Sequence, residues 1–118
     1  MSYSVRIVRS PKETKKFRAT IYNHSTEKTR VVDFGQRGAS DYTKHGDFER
    51  MVRYLTRHHA VFHSSTLDKV RSSRERWGID GIYSAGFWSR WLLWSAPSLE
   101  GAKRKIRANF PGRIRFVK

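Results

Sequence analysis

The chain has 118 residues, with 25 Lys+Arg against 10 Asp+Glu, five His, no Cys and a formal net charge of +15. The length fits one domain, 1–118, and 37% hydrophobic with 14% aromatic residues describes a folded chain. Missing cysteine excludes a disulfide scaffold, thiol catalysis and thiolate zinc, no apolar run reaches the roughly 18 residues of a membrane span, and Met1 to Arg6 lacks the apolar block of a signal peptide.

Tyr3 to Arg9 alternates, with Tyr3, Val5 and Ile7 on one face of a predicted strand, and Ser10-Pro11-Lys12-Glu13 reads as a turn. Lys16 to Tyr22 alternates again, with Phe17, Ala19 and Ile21 inward. A loop over residues 23–27 leads to a β-branched strand from Thr29 to Phe34, giving an antiparallel meander. Gly35 and Gly38 open a loop in which Asp41-Tyr42-Thr43 forms a turn held by side-chain hydrogen bonds. Asp47 caps a helix carrying Phe48, Met51, Val52 and Leu55, expected to end near Ala60. Leu67 to Trp77 is a second predicted helix, stopped by Gly78. An irregular stretch over 79–86 precedes Phe87 to Trp94, a short helix or tight aromatic segment. Ser98 opens a last helix with Leu99, Ala102 and Ile106 on one face, and after Pro111-Gly112 residues 113–117 alternate as a closing strand. The expected fold is α+β: a small antiparallel sheet, made of the three-stranded meander and a C-terminal strand, covered by three to four short helices.

Several constellations invite chemistry. His58, His59 and His63 lie at metal-compatible spacing, but no carboxylate or Cys shares their turn and Arg57 repels a cation, so no metal site and no cofactor are expected. Asp41, His45 and Asp47 could form an acid–base cluster, yet Asp47 serves as a cap and no nucleophile stands beside them. Gly81-Ile82-Tyr83 matches half of the GIY-YIG nuclease signature, with no Tyr-Ile-Gly downstream. These features give no catalytic residue, no enzyme and no small-molecule substrate. Tyr3, Arg6, Arg18, Tyr22 and Arg30 interleave charge with aromatics as single-strand-binding sheets do, although Tyr3 and Phe17 are needed by the core. Trp88, Trp91 and Trp94 form the densest apolar block, too wide for one helix stripe, and belong to the core or to a partner contact.

The charge exceeds what solubility requires, about 2–8 for a small domain, and calls for an anionic partner. Residues 101–118 carry seven Lys/Arg and no acid. On the last helix Lys103, Arg104 and Arg107 should point outward, and Arg113 and Arg115 should point away from the core on the closing strand. These five are the expected electrostatic contacts to a partner.

Two segments carry a resemblance: Phe34-Gly-x-x-Gly-x-x-Asp41-Tyr42-Thr43-x-His45-x-Asp47-x-x-Arg50-x-x-Tyr54-x-x-Arg57-His58, and Gly86-Phe87-Trp88-Ser89-Arg90-Trp91-Leu92-Leu93-Trp94-x-x-Pro97-Ser98-Leu99. Together they resemble a family of small basic proteins of nucleocytoplasmic large DNA viruses, the giant viruses of algae and protists. The likeness spans roughly residues 30–105, with a longer connection from Ala60 to Ala85 in this chain. It implies a viral protein made in the host-cell cytoplasm, and no catalytic residues. The function expected first is therefore a non-enzymatic structural protein of the virion, a minor capsid (cement) protein bridging major and other minor capsid proteins. The alternative is a basic nucleic-acid-binding protein for viral DNA packaging or processing. One continuous basic face would favour the alternative.

Overall fold

The computed structural model describes residues 2–62 and 67–118. The alternating segments become β1 (Tyr3–Arg9), β2 (Lys15–Asn23) and β3 (Lys28–Gln36), an antiparallel meander with Val5 opposite Ile21 and Ala19 opposite Val32. The closing strand β6 (Ile114–Phe116) runs parallel to β1, giving the order β3-β2-β1-β6. The fold is α+β as expected, with one parallel pair on a mostly antiparallel sheet. The alternation there specified which side chains face in, but not the direction of pairing.

The main core lies on one face of this sheet. Val5, Ala19, Ile21 and Phe34 meet Phe87, Trp88, Trp91, Leu92 and Ile106. These come from α3 (Ala85–Trp88), the π-helical turn Ser89–Leu93 that continues it, and α4 (Leu99–Asn109). The widened turn buries four consecutive side chains, Arg90 to Leu93, which a narrow amphipathic stripe could not do. Trp88 and Trp91 are fully buried, and their indole N–H groups donate to the Ile82 and Trp77 carbonyls at 2.7 Å. Both belong to the core.

A second cluster gathers around α2 (Phe48–Arg57), with Met51, Tyr54, Leu55, Val70 and Trp77. Trp94 joins the two clusters, its ring stacked on Tyr54 at 4.4 Å and 2°. Glycine is required where these layers close. A Cβ on Gly81 would lie 1.9 Å from the Arg76 carbonyl oxygen, and Gly35, at φ +77°, leaves only 2.9 Å to Leu93 Cδ1.

Three local expectations need correction. The segment 67–77 is not an α-helix: it holds a short 3-10 turn (Leu67–Lys69) and β5 (Arg71–Ser72), which pairs with β4 (Ala60–Val61). Ser72 Oγ donates to the His58 carbonyl and accepts from Arg74 and Glu75 N–H, so its hydroxyl competes with helical bonding. Asp41 begins a short helix, α1 (Tyr42–His45), rather than a simple turn. The helix capped by Asp47 stops at Arg57, where His58 ends it and His59 turns left-handed at φ 63°. Among the described residues no helix is long and apolar enough to cross a membrane.

Candidate nucleic-acid interface

Asp41, Asp47 and His58, weighed above for acid–base or metal chemistry, have structural work. Asp41, 2% exposed, binds Lys16 Nζ, the Thr43 hydroxyl and the Thr43 N–H at 2.9 Å. Asp47 accepts from the Arg50 N–H at 3.2 Å, and its own N–H donates to His45 Nδ1 at 2.8 Å. His58 pairs with Glu75 at 2.5 Å. His63 lies outside the described residues, among which no three His, Cys, Asp or Glu side chains gather as a metal site would need.

The five C-terminal cations do not share one surface. Arg104 and Arg107 project from α4 into solvent. Lys103 is half-buried, its ammonium 5.4 Å from the centre of the Phe116 ring and 3.9 Å from Glu100. Arg113 is half-buried at the turn before β6. Arg115 stands opposite Ser4 on the sheet face away from the helices. Of the aromatic block, only Trp94 is partly exposed.

What the fold brings together instead is a basic trough. Its central chamber, about 630 Å³, lies between the β1–β2 end of the sheet, the loop after β3 and the start of α4, and is walled by Arg9, Lys16, Arg37 and Lys44 over Phe17, Pro97 and Leu99. Lys16 and Asp41 are shared with a depression of about 350 Å³ that reaches Arg57. Pro97 and Ser98 are shared with another of about 420 Å³ edged by Arg104 and Lys105. The three depressions share these lining residues, and together they carry seven cations against two carboxylates, Asp41 and Glu100. Asp41 is already neutralised by Lys16.

Most of the wall cations have no carboxylate partner among the described residues. Arg37 is pinned by backbone: Nε donates to the Lys15 carbonyl at 3.1 Å and Nη2 to the Ser10 carbonyl at 2.9 Å. Among the described residues Arg9, Arg37, Lys44, Arg57 and Arg104 make no ion pair. Beyond Arg57 the cationic surface continues along α2, where Arg50, Arg53 and Arg57 are exposed at i, i+3 and i+7. That spacing was visible in the sequence as one helix face. The rest of the trough was not, because Arg9, Arg37 and Arg104 converge only through tertiary folding.

The opposite sheet face is bare. Val8, Val31 and Val117 are 41%, 51% and 38% exposed there or at its edge, and Ser4, Arg6, Thr20 and Tyr22 join neither apolar cluster. At one end Asp33 takes Arg18 in a two-pronged pair at 3.0 and 3.1 Å and accepts from Ser10 Oγ at 2.7 Å. The Arg18 hydrogen bonds, helped by Ser10, outweigh desolvation and hold the Asp33 carboxyl down at about 2.

Residues 5–58 match a family of unknown function, DUF5754, a stretch that runs from β1 through α2 and covers just under half of the chain. No curated protein and no solved structure matches. The matched stretch supplies Arg9, Lys16, Arg37, Lys44 and Arg57 together with Phe17, whereas Pro97, α4 and its cations lie outside it.

Proposed function

We propose that the protein is a non-enzymatic nucleic-acid-binding protein that grips the phosphate backbone along the trough. The observation that carries this reading is the gathering of seven cations around three depressions that share lining residues, five of the seven without an ion pair among the described residues. Phosphates spaced along a strand meet such a line with counterion release, which supplies the affinity and makes it salt-dependent. Arginine predominates over lysine, 16 to 9, and its planar fork suits phosphate oxygens. Of the two carboxylates lining the trough, Asp41 caps α1 and pairs with Lys16 and Glu100 stands 3.9 Å from Lys103, which supports binding rather than hydrolysis.

A second reading keeps the structural role: a minor capsid protein of a large DNA virus, lodged among capsid proteins in the virion. The bare sheet face favours it, since the exposed Val8, Val31 and Val117 suit a protein neighbour. The trough puts nucleic acid first.

The test is a salt titration of DNA binding by the full chain and by a variant with Arg9→Gln, Lys44→Gln and Arg104→Gln, three exposed positions. We expect a Kd below about 1 µM at about 0.15 M salt, and a salt slope shallower by about 2–3 in the variant. Weak binding at that salt, or an unchanged slope, defeats the reading. Loss of particle incorporation on Val31→Glu, with DNA binding absent, gives precedence to the capsid role.

A further inference from the structure

The central chamber is more than a phosphate track. A duplex lying in a basic groove presents phosphates and needs no apolar recess. Here the lining includes Phe17, Pro97 and Leu99 beside Arg9, Arg37 and Lys44, with Asp41, already paired to Lys16, and Glu100 as the two carboxylates. Phe17 is only half-buried, its ring tilted 33° to Phe34 at 5.9 Å, so it lines the recess rather than disappearing into the core. The chamber's volume of about 630 Å³ falls in the range of small-ligand sites. The two depressions that share residues with it add Arg57, Arg104 and Lys105 to the cations nearby.

We infer that the chamber receives one unpaired nucleotide of a single strand, the base against Phe17 and Leu99 and its phosphate held by Arg9, Arg37 and Lys44. The inference rests on the nucleic-acid reading and makes it specific: the protein prefers single strands to duplexes. An unpaired base enters without cost of unpairing, whereas a duplex must expel one of its bases to fill the recess. Stacking against an aromatic side chain tolerates any base, so the preference is one of strandedness rather than sequence. Arg37, fixed by the Ser10 and Lys15 carbonyls, keeps its charge at the rim whether or not a ligand is present.

The experiment compares a labelled 12-nucleotide oligothymidine with a duplex of equal length, by fluorescence anisotropy at about 0.15 M salt, using the full chain and Phe17→Leu. We expect the single strand to bind at least about tenfold tighter than the duplex. Phe17→Leu should lose about tenfold on the single strand, stay within twofold on the duplex and leave the salt slope unchanged. A competition on the unaltered protein needs no variant to fold. Thymidine 5′-monophosphate should displace the oligonucleotide at a concentration at least about tenfold below that of inorganic phosphate. Equal affinity for both strand forms, or equal competition by phosphate, overturns the inference and leaves the trough reading standing. Binding to neither strand form defeats both.

Discussion

Arg90 sits at 1% exposure with its guanidinium 4.3 Å from the centre of the Trp91 ring and 5.5 Å from that of Trp77. Its Nη2 donates to the Leu67 carbonyl at 2.7 Å, and Nη1 reaches the Trp94 carbonyl at 3.4 Å. A planar cation can stack on indole faces while donating at its edges, and lysine cannot do both. Removing the side chain leaves a large void and strips two carbonyls of a donor. Arg90→Ala should therefore cost about 3–5 kcal/mol in urea denaturation, with Arg90→Lys recovering less than half. A variant within about 1 kcal/mol of the parent would show that the indoles pack without it. The sequence displayed Arg90 only as an interruption in an aromatic run. Its role required knowing that Trp77, far along the chain, folds back onto the same site.

At the scale of elements, the β2–β3 hairpin was legible because its bonds are local and its period is two. Asp33 links that hairpin to Ser10 at the end of β1 and draws Lys12 to within 3.6 Å. Its carboxyl is lowered from an ordinary 3.8 to about 2. The unfolded chain thus takes up the proton first as the pH falls. The stabilisation is fully present above about pH 4 and is lost between about 4 and 2. Asp33→Asn should be less stable than the parent by about 1.5–3 kcal/mol at pH 6, and the gap should narrow as the pH approaches 2. A gap constant with pH in chemical denaturation would refute the charge-based account. The segment 67–77 was not legible for a different reason. Leu67, Val70 and Trp77 offer spacing a helix could use, while Ser72 binds the backbone on both sides and is paired in the sheet with Ala60 of β4. Periodicity alone cannot weigh those bonds.

Over the whole molecule, +15 is spread across the trough, the α2 face, α4 and the bare sheet. Self-repulsion of this kind opposes the folded state and is screened by ions. The melting temperature should rise by several degrees between about 0.02 and 0.5 M sodium chloride, and heparin should raise it further at low salt. A melting temperature that falls with salt would mean that attractive pairs such as Arg18–Asp33 outweigh the repulsion. Composition raised the expectation of an anionic partner, and the strand patterns foretold the sheet. The cationic trough stayed hidden because its residues come from β1, β2, the loop after β3, α1, α2 and α4.

Trp94 turns this arrangement into something that can be seen with light. The other three indoles are sealed in the core, whereas Trp94 is partly exposed and lines the Arg57 end of the trough beside Tyr54 and His58. A base arriving there meets the one indole that is not sealed away. Occupancy of the trough would thus be written into the chain's own emission, with Trp77, Trp88 and Trp91 as a steady internal reference and no dye attached.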